Sequence, residues 1–286
     1  MVSKTFMNEL VSPHFKRIYV EITNVCQLAC TFCLPLNRPK QFMTTEQFRR
    51  VLSEVKPYTD YLYWHVKGEP LLHPKLRSFL DLALEKHFQI NLTTNGLLLF
   101  QHHELLSIHP AIRQINLSLH VLQELPETER KNYLQELIRF LKTMEKVFSK
   151  YISLRFWLGN NPLKSYVIEQ LNAAFNVHLH NDSRNLFPHV YLDTDQEFVW
   201  PEQSTTTSPF VFCRGLKDHI AILVDGSVVP CCLDGNGQVV LGNVFSDSLK
   251  TILAGSAWKK LREAFKKRQN LPPLCQHCSY KDRFAL

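Results

Sequence analysis

Three cysteines near the start of the chain have the residue type and spacing that metal chemistry needs. Cys26, Cys30 and Cys33 form a C-x3-C-x2-C run directly after an apolar, strand-like stretch. Three thiolates this close can hold an iron–sulfur cluster, which normally takes four cysteine ligands. Because the run offers no fourth ligand, one iron would stay open, and an open metal position is typical of a reactive site. A zinc knuckle would also need a fourth ligand, and three free buried cysteines are the remaining alternative.

The other five cysteines lie in the last quarter of the chain. They are Cys213, the adjacent Cys231 and Cys232, and Cys275-x2-Cys278. An apolar stretch with an Asp-Gly turn at 225–226 predicts a β-hairpin between the first of them and the adjacent pair. Such a hairpin, closed by a distant C-x2-C, makes a four-thiolate site that suits either zinc or an iron–sulfur cluster.

Composition narrows the class of protein. The chain has 286 residues, enough to bury a sizeable core. No apolar run approaches the roughly 20 residues that span a membrane, and the first residues lack the apolar core of a signal peptide, so a cytoplasmic protein is expected. In a reducing compartment the eight cysteines are metal ligands or catalytic groups rather than disulfides.

The formal charge of +7 is concentrated near the C-terminus. Lysines and arginines are most frequent at residues 259–268, and apolar residues recur at helical spacing over residues 249–265. We interpret this segment as the solvated face of an amphipathic helix. A contact with nucleic acid or phosphate is the alternative.

Strand-like and helical patterns alternate over the first 195 residues. The helical patterns include a capping box at 44–47, a helix at 75–86 and a long one at 127–149. Six strands with crossovers predict an α/β fold, in which a parallel sheet carries helices outside and chemistry at the C-terminal ends of its strands. Cys26 follows the first strand, as that rule requires. The predicted strands are 18–23, 61–66, 89–93, 115–120, 152–158 and 190–193.

A polar stretch bounded by prolines, residues 200–209, predicts a linker. We place a domain boundary there, between a larger domain at 1–199 and a smaller one at 200–286.

The cysteine run resembles the signature of the radical SAM enzymes, in which an aromatic residue precedes the third cysteine; Phe32 fills that place. The resemblance implies a partial (β/α)6 barrel with a SAM-binding 4Fe–4S cluster on three cysteines. In that family the open iron binds S-adenosyl-L-methionine, and the reduced cluster cleaves it to a 5′-deoxyadenosyl radical. No catalytic residue is assigned beyond the cluster.

The same resemblance suggests contacts to S-adenosyl-L-methionine. Residues 67–70 resemble the family's Gly-Gly-Glu motif through Gly68 and Glu69, although Lys67 replaces the first glycine. Asn95 ends the third strand, where it would face the cofactor or cap the turn. Ser118 and Arg155 are candidates for the ribose and the carboxylate, with a structural ion pair as the alternative for Arg155. The family's Gly-rich ribose motif is not found.

The C-terminal cysteines resemble the auxiliary-cluster domains called SPASM or twitch. That resemblance implies a small α+β domain with a second 4Fe–4S cluster on Cys213, Cys231, Cys275 and Cys278. Cys232 is expected to be a bystander, since adjacent residues in a strand point to opposite faces. A full SPASM domain has seven cysteines and two clusters, so the pattern is nearer the twitch form.

We therefore predict a radical SAM oxidoreductase. A hydrogen atom would be abstracted from a substrate C–H bond, and the fully ligated auxiliary cluster would accept an electron. The expected partners are a small-molecule or peptide substrate and an external electron donor such as flavodoxin or ferredoxin; neither a membrane nor nucleic acid is an expected partner.

Two alternatives stay open. One is a peptide-modifying maturase that epimerises or cross-links its substrate with a separate leader-binding protein, since only about 16 residues precede the first predicted strand. The other is a non-catalytic metal-binding module that contacts RNA.

Overall fold

A single ten-stranded sheet organises the protein, with nine α-helices in the part of the chain that is described. The structure is a computed structural model and describes residues 13–147, 150–157, 161–180, 184–195, 198–207 and 212–284. The strands are β1 Arg17–Val20, β2 Tyr61–Trp64, β3 Gln89–Thr94, β4 Ile112–Ser118, β5 Tyr151–Phe156, β6 Asn185–Phe187, β7 Val190–Thr194, β8 His219–Ile222, β9 Ser227–Val229 and β10 Gly242–Asn243. The helices are α1 Thr45–Val55, α2 Leu76–Glu85, α3 His103–Ile108, α4 Val121–Glu124, α5 Glu127–Met144, α6 Pro162–Phe175, α7 Leu249–Ala254, α8 Ser256–Lys267 and α9 Pro273–Gln276, with 3-10 turns at Pro70–Leu72 and Ser279–Phe284.

The predicted parallel α/β sheet is confirmed. Its strand order is β10-β9-β8-β1-β2-β3-β4-β5-β7-β6, and the six predicted strands pair in parallel. The predicted hairpin, β8 and β9, joins the same sheet, because β8 pairs in parallel with β1. Gly226 turns that hairpin at φ +85, where an added Cβ would meet Asn243 Oδ1 at 2.5 Å.

Local sequence explains several helix boundaries. Thr44 caps α1 with the reciprocal bonds to Gln47 that the capping box predicts. The long predicted helix is observed as α5 and ends at Met144; residues 148 and 149 of the prediction lie outside the described residues. The basic C-terminal pattern forms two helices, because Gly255 leaves the helical conformation between α7 and α8. None of the described helices is long and apolar enough to cross a membrane.

The two faces of the sheet differ in polarity. Side chains such as Ile18, Trp64 and Leu92 pack with the helices in the main core. The alternating positions form the other face, whose residues lie in register across the strands. A parallel sheet is normally apolar on both faces, yet this inner face carries Tyr19, Tyr63, His65, Asn91, Thr93, Gln114, Asn116, Ser118, Ser153, Arg155, Tyr191 and Asp193.

Electrostatic contacts across the inner face show that the sheet curls. Burial raises the pKa of Cys232, just after β9, to about 11, and the charge of Arg155 on β5 opposes that rise. A flat sheet would separate β9 from β5 by six strand spacings, or about 29 Å. Burial, together with the positive charge of Arg155, also lowers the pKa of His65, directly after β2, to about 3. The inner face is therefore concave, and we call the polar space in front of it the lumen.

One buried carboxylate joins the C-terminal ends of three strands. Glu21, directly after β1, is fully buried and accepts two bonds from Arg38, at 2.8 and 2.7 Å. It also accepts the N–H of Lys67, after β2, at 3.1 Å and that of Val224, after β8, at 3.0 Å. The first cysteine loop, the segment after β2 and the hairpin that leads to Cys231 thus meet at one charged group.

Replacing Glu21 with alanine should cost about 3–5 kcal/mol of unfolding free energy, because it leaves Arg38 buried without a counter-charge. Urea-induced unfolding would measure this loss of unfolding free energy. The control is Asp60→Ala, which breaks the more exposed ion pair with Lys56 and should cost about 1 kcal/mol or less. Equal losses in the two variants would contradict the role assigned to Glu21.

Candidate active site

The first three cysteines lie together in the loop that follows β1. The N–H of Cys33 donates to the carbonyl of Cys30 at 3.0 Å, which makes a tight turn. The Cys30 thiol also donates to Cys33, raising the pKa of Cys30 and lowering that of Cys33 to about 7. Burial, with Cys33 among the further causes, raises the pKa of Cys26. The three sulfurs therefore lie close enough for their charges to interact.

Two polar side chains hold this loop, one at its base and one in its middle. Asn24 donates to the carbonyl of Pro39 at 2.8 Å and accepts the N–H of Gln41 at 2.7 Å. Farther along, Glu124 of α4 accepts both the N–H and the hydroxyl of Thr31, at 2.8 and 2.9 Å. Sequence analysis missed both residues, because no motif or spacing marks contacts that depend on the tertiary fold.

Phe32 belongs to an aromatic cluster beside the cysteines. Its ring stacks on His120 at 5.1 Å and meets Phe198 edge-on at 5.3 Å. Trp200 donates its indole N–H to the carbonyl of Phe32 at 2.7 Å and is buried, although sequence analysis places it at the start of a polar linker. Residues 208 and 209 of that predicted linker lie outside the described residues.

Gly68 packs directly against the chain that leads into the cysteine loop. Its φ is +77, and a Cβ there would lie 2.4 Å from the carbonyl oxygen of Thr23. Only glycine allows this approach, since both the conformation and the space exclude a side chain. The next residue, Glu69, donates its N–H to the carbonyl of Val25 at 2.8 Å. The motif after β2 is thus attached to the segment that ends at Cys26.

The carboxylate of Glu69 is buried and bridges two loops. It accepts the N–H of Leu71 at 2.9 Å and that of Asn95, after β3, at 2.7 Å. Burial raises the pKa of Glu69 to about 7, and those backbone donors oppose the rise. A carboxylate oxygen has two lone pairs, so a ligand ammonium can still be accepted.

Lys67 replaces a glycine of the family motif and has a structural role. Its ammonium donates to the carbonyl of Leu34, just past Cys33, and lies 4.7 Å from the centre of the Trp200 ring. Burial lowers the pKa of Lys67, and the negative charges of Cys33 and nearby carboxylates oppose that decrease. This lysine therefore holds the far end of the cysteine loop.

Asn95 caps the turn after β3, which is one of the two roles that sequence analysis left open. Its carbonyl oxygen accepts the N–H of Leu97 at 3.0 Å, which caps the turn after β3. Its amide nitrogen lies 3.9 Å from Cys26 Sγ. The same side chain thus orders the turn and contacts the cysteine loop.

Ser118 and Arg155 are register neighbours on the inner face. The Ser118 hydroxyl is 2.9 Å from His120 Nδ1. The Nε of Arg155 is 3.8 Å from Asp193 Oδ2, too long for a hydrogen bond, and this buried nitrogen has no hydrogen-bond partner. Arg155 therefore has a loose ion pair and an Nε–H that a bound anion can accept.

The four C-terminal cysteines that were predicted as ligands line one cavity. Three separate segments bring their thiols together, with Phe265 of α8, Leu274 of α9 and Lys281 completing the wall. Burial raises the pKa of all four thiols, so thiolates form there only when a cation compensates them. The cysteines are Cys213, Cys231, Cys275 and Cys278.

Cys231 and Cys232 point to opposite sides of the chain. Cys231 lines the cavity, whereas Cys232 packs with Tyr19 and Tyr63 at the inner face of the sheet. Within the described ranges, no group of three or more His, Cys, Asp or Glu side chains is arranged to hold a single metal ion. The donor sets nonetheless fit iron–sulfur clusters: three thiols in an open loop, and four around a closed cavity.

Comparison with known proteins establishes the family. The family model described as the radical SAM superfamily matches residues 20–162, which is half of the chain. A second model, described as an iron–sulfur cluster-binding domain and named SPASM, matches residues 213–279. The chain therefore belongs to the radical SAM superfamily and carries a SPASM domain, and its cofactors are S-adenosyl-L-methionine and 4Fe–4S clusters.

Solved structures share this fold at low sequence identity. The crystal structure of BtrN in complex with AdoMet and 2-DOIA is 16% identical over 94% of both chains, with a TM-score of 0.57. Streptococcus suis SuiB bound to S-adenosylmethionine is 14% identical over 99% of this chain and 77% of its own, with a TM-score of 0.64. A Pyrococcus furiosus protein, the tungsten-containing aldehyde ferredoxin oxidoreductase cofactor-modifying protein, is 27% identical over 88 residues. That match covers 29% of this chain and 25% of the relative.

Adjacent cysteines offer a matched test of the closed site. Cys231→Ala should remove about four iron atoms from a protein that holds about eight, because one cluster loses a ligand. Cys232→Ala should retain them all. Iron and sulfide analysis of protein purified without oxygen would measure both variants. Equal iron loss in the two, or loss in Cys232→Ala alone, would contradict the assignment.

Proposed function

We propose that this protein is a radical SAM oxidoreductase that dehydrogenates a small polar molecule held in the lumen. Cys26, Cys30 and Cys33 would hold the SAM-binding cluster. When bound there, the reduced cluster and S-adenosyl-L-methionine supply a 5′-deoxyadenosyl radical that takes a hydrogen atom from the substrate. The chain's own residues hold these groups, orient the substrate and complete the ligand set of a second cluster.

The observation that carries the proposal is the closed four-cysteine cavity. With four protein thiolates, a 4Fe–4S cluster has no iron left to bind substrate, so its role is to accept an electron. An electron acceptor is needed when a substrate radical loses a proton and an electron to form a double bond. The ligands would be Cys213, Cys231, Cys275 and Cys278.

The residues around the open site support binding of S-adenosyl-L-methionine. Gly68 and Glu69 would receive its ammonium beside the cysteine loop, which contains Phe32 and contacts Asn95. Ser118 would reach the ribose, and Arg155, whose Nε has no hydrogen-bond partner, would reach the carboxylate. These assignments follow the family motifs and agree with the distances between the loops.

The lumen supports a polar substrate. Asn91 and Ser153 are buried on the inner face, and the Asn91 amide nitrogen and the Ser153 hydroxyl have no hydrogen-bond partner. Buried polar groups are normally paired, so unpaired ones mark places where a ligand can bond. His65 is neutral at pH 7, given its pKa of about 3, and can accept a hydrogen bond. Hydroxyl and amino groups, as in a polyol or an aminocyclitol, match this lining.

We also propose that residues 1–199 form the radical SAM core and 200–286 the auxiliary-cluster domain. The two family models fall on either side of this boundary, which supports it. The sheet itself runs through both parts, because β8 pairs with β1.

Hydrogen transfer tests the proposal directly. Anaerobic protein reduced with dithionite should form 5′-deoxyadenosine, and a polyol or aminocyclitol deuterated at carbon should pass deuterium into it. Cys30→Ala should form none. Cys231→Ala should still cleave S-adenosyl-L-methionine but yield little oxidised product, because the electron acceptor is lost.

Two results would contradict the proposal. Failure of iron-loaded wild-type protein to cleave S-adenosyl-L-methionine would exclude the radical enzyme. Deuterium transfer from labelled peptides alone would instead identify a peptide-modifying enzyme, and solvent deuterium in a peptide Cα would identify an epimerase.

A further inference from the structure

The surface around the closed cysteine cavity is strongly basic. Five exposed cationic residues lie on or next to the segments that line it, and we name them the basic rim. Arg214 directly follows the cavity residue Cys213, and Lys217 lies three residues farther on. The other three belong to α8 or its C-cap: Lys260, Lys267 and Arg268.

The cavity lies close beneath this rim. Phe265 of α8 lines the cavity, and Ala264 packs against the hydrophobic side-chain cluster formed by Leu271 and Cys275. Lys260 and Lys267 are one turn before and three residues after Ala264, so they flank that contact on the helix surface. At the C-cap of α8, the guanidinium of Arg268 lies 5.8 Å from the ring centre of Phe212, which neighbours Cys213 and is 47% exposed.

The positive charge of the rim is only partly neutralised. Glu263 lies between Lys266 and Lys267, at 3.8 and 3.7 Å. Arg214 pairs with Asp218 at 3.2 Å, and Lys16 approaches the same carboxylate at 3.1 Å. Lys217, Lys260 and Arg268 leave the rim with a net positive charge, and Arg268 lies over the exposed ring of Phe212.

We propose that the basic rim is the docking surface for an acidic protein that carries one electron, such as a flavodoxin or a ferredoxin. The inference rests on the proposed function. In each turnover the substrate loses a hydrogen atom to the deoxyadenosyl radical, then a proton to a base and an electron to the second cluster. That electron must leave before the next turnover, and the oxidised carrier is the acceptor that receives it.

Charge and position both favour this partner over the alternatives. An acidic carrier is steered to a basic surface, and electron-transfer complexes use small, weak, polar contacts of this kind. The rim lies over the site that must release an electron, whereas a surface for RNA has no reason to be there.

Charge reversal with a matched control tests the docking surface. Lys260→Glu/Lys267→Glu changes two exposed lysines of α8, the second of them in its last turn. Lys131→Glu/Lys142→Glu makes the same change in net charge on α5, again with one lysine in the last turn. The probes are oxidised flavodoxin and an acidic [2Fe–2S] ferredoxin, titrated against the anaerobic iron-loaded protein by calorimetry.

The rim variant should raise the Kd for at least one carrier about tenfold at about 50 mM salt, while the α5 variant stays within about twofold of wild type. At about 500 mM salt the difference should disappear, because exposed charges are screened. The rate at which the pre-reduced protein passes an electron to the carrier should fall in parallel.

Three outcomes would overturn the docking surface: no binding of either carrier at low salt, equal effects of the two variants, or an effect of the rim variant on a mixed-sequence RNA oligonucleotide instead of on the carriers. Dithionite-driven cleavage of S-adenosyl-L-methionine needs no carrier. Failure of that reaction in wild type would contradict the proposed function. Normal cleavage together with unaltered carrier binding in the rim variant would contradict the docking surface alone.

Discussion

The buried carboxylate of Glu21 joins the first cysteine loop to the hairpin that leads to the second cysteine site. It binds Arg38, which follows the first cysteine loop, and the backbone of Lys67, which precedes the Gly68–Glu69 motif. It also binds the backbone of Val224, in the hairpin that leads to Cys231. A buried ion pair of this kind adds little net stability compared with apolar packing, but breaking it is costly. The fold tolerates this desolvation because Glu21 holds the first cysteine loop, the Gly68–Glu69 motif and the hairpin that leads to Cys231 in fixed relative positions.

The two cysteine sites differ because they are built differently. Three cysteines within one loop cannot supply a fourth ligand, so the loop leaves a coordination position open beside the polar inner face. Four cysteines from three separate segments close around a buried cavity. Because one sheet carries both, the radical would form at the edge of the lumen and the electron would leave on the opposite side of the hairpin. The adjacent Cys231 and Cys232 mark that division, since one faces the cavity and the other the inner face.

Much of this arrangement could be predicted from local sequence. Cysteine spacing indicated both sites, and the alternation of strand and helix patterns gave the parallel sheet. The contacts that hold the sites were not predictable, because they join residues far apart in sequence: Trp200 with Phe32, Glu124 with Thr31, and Lys67 with Leu34. Short or interrupted elements were missed as well. Strand β6 has only three residues, too few for an alternating pattern, and the break at Gly255 does not interrupt the helical spacing of the apolar residues.

The central claim is that the chain holds one open and one closed 4Fe–4S cluster. Low-temperature EPR of the dithionite-reduced protein, recorded with and without S-adenosyl-L-methionine, tests it most directly. We expect two cluster signals, of which only one changes when the cofactor is added, because only the cluster on the loop after β1 has an iron free to bind it. A single signal, two signals that both change, or two that are both indifferent to the cofactor would contradict the account.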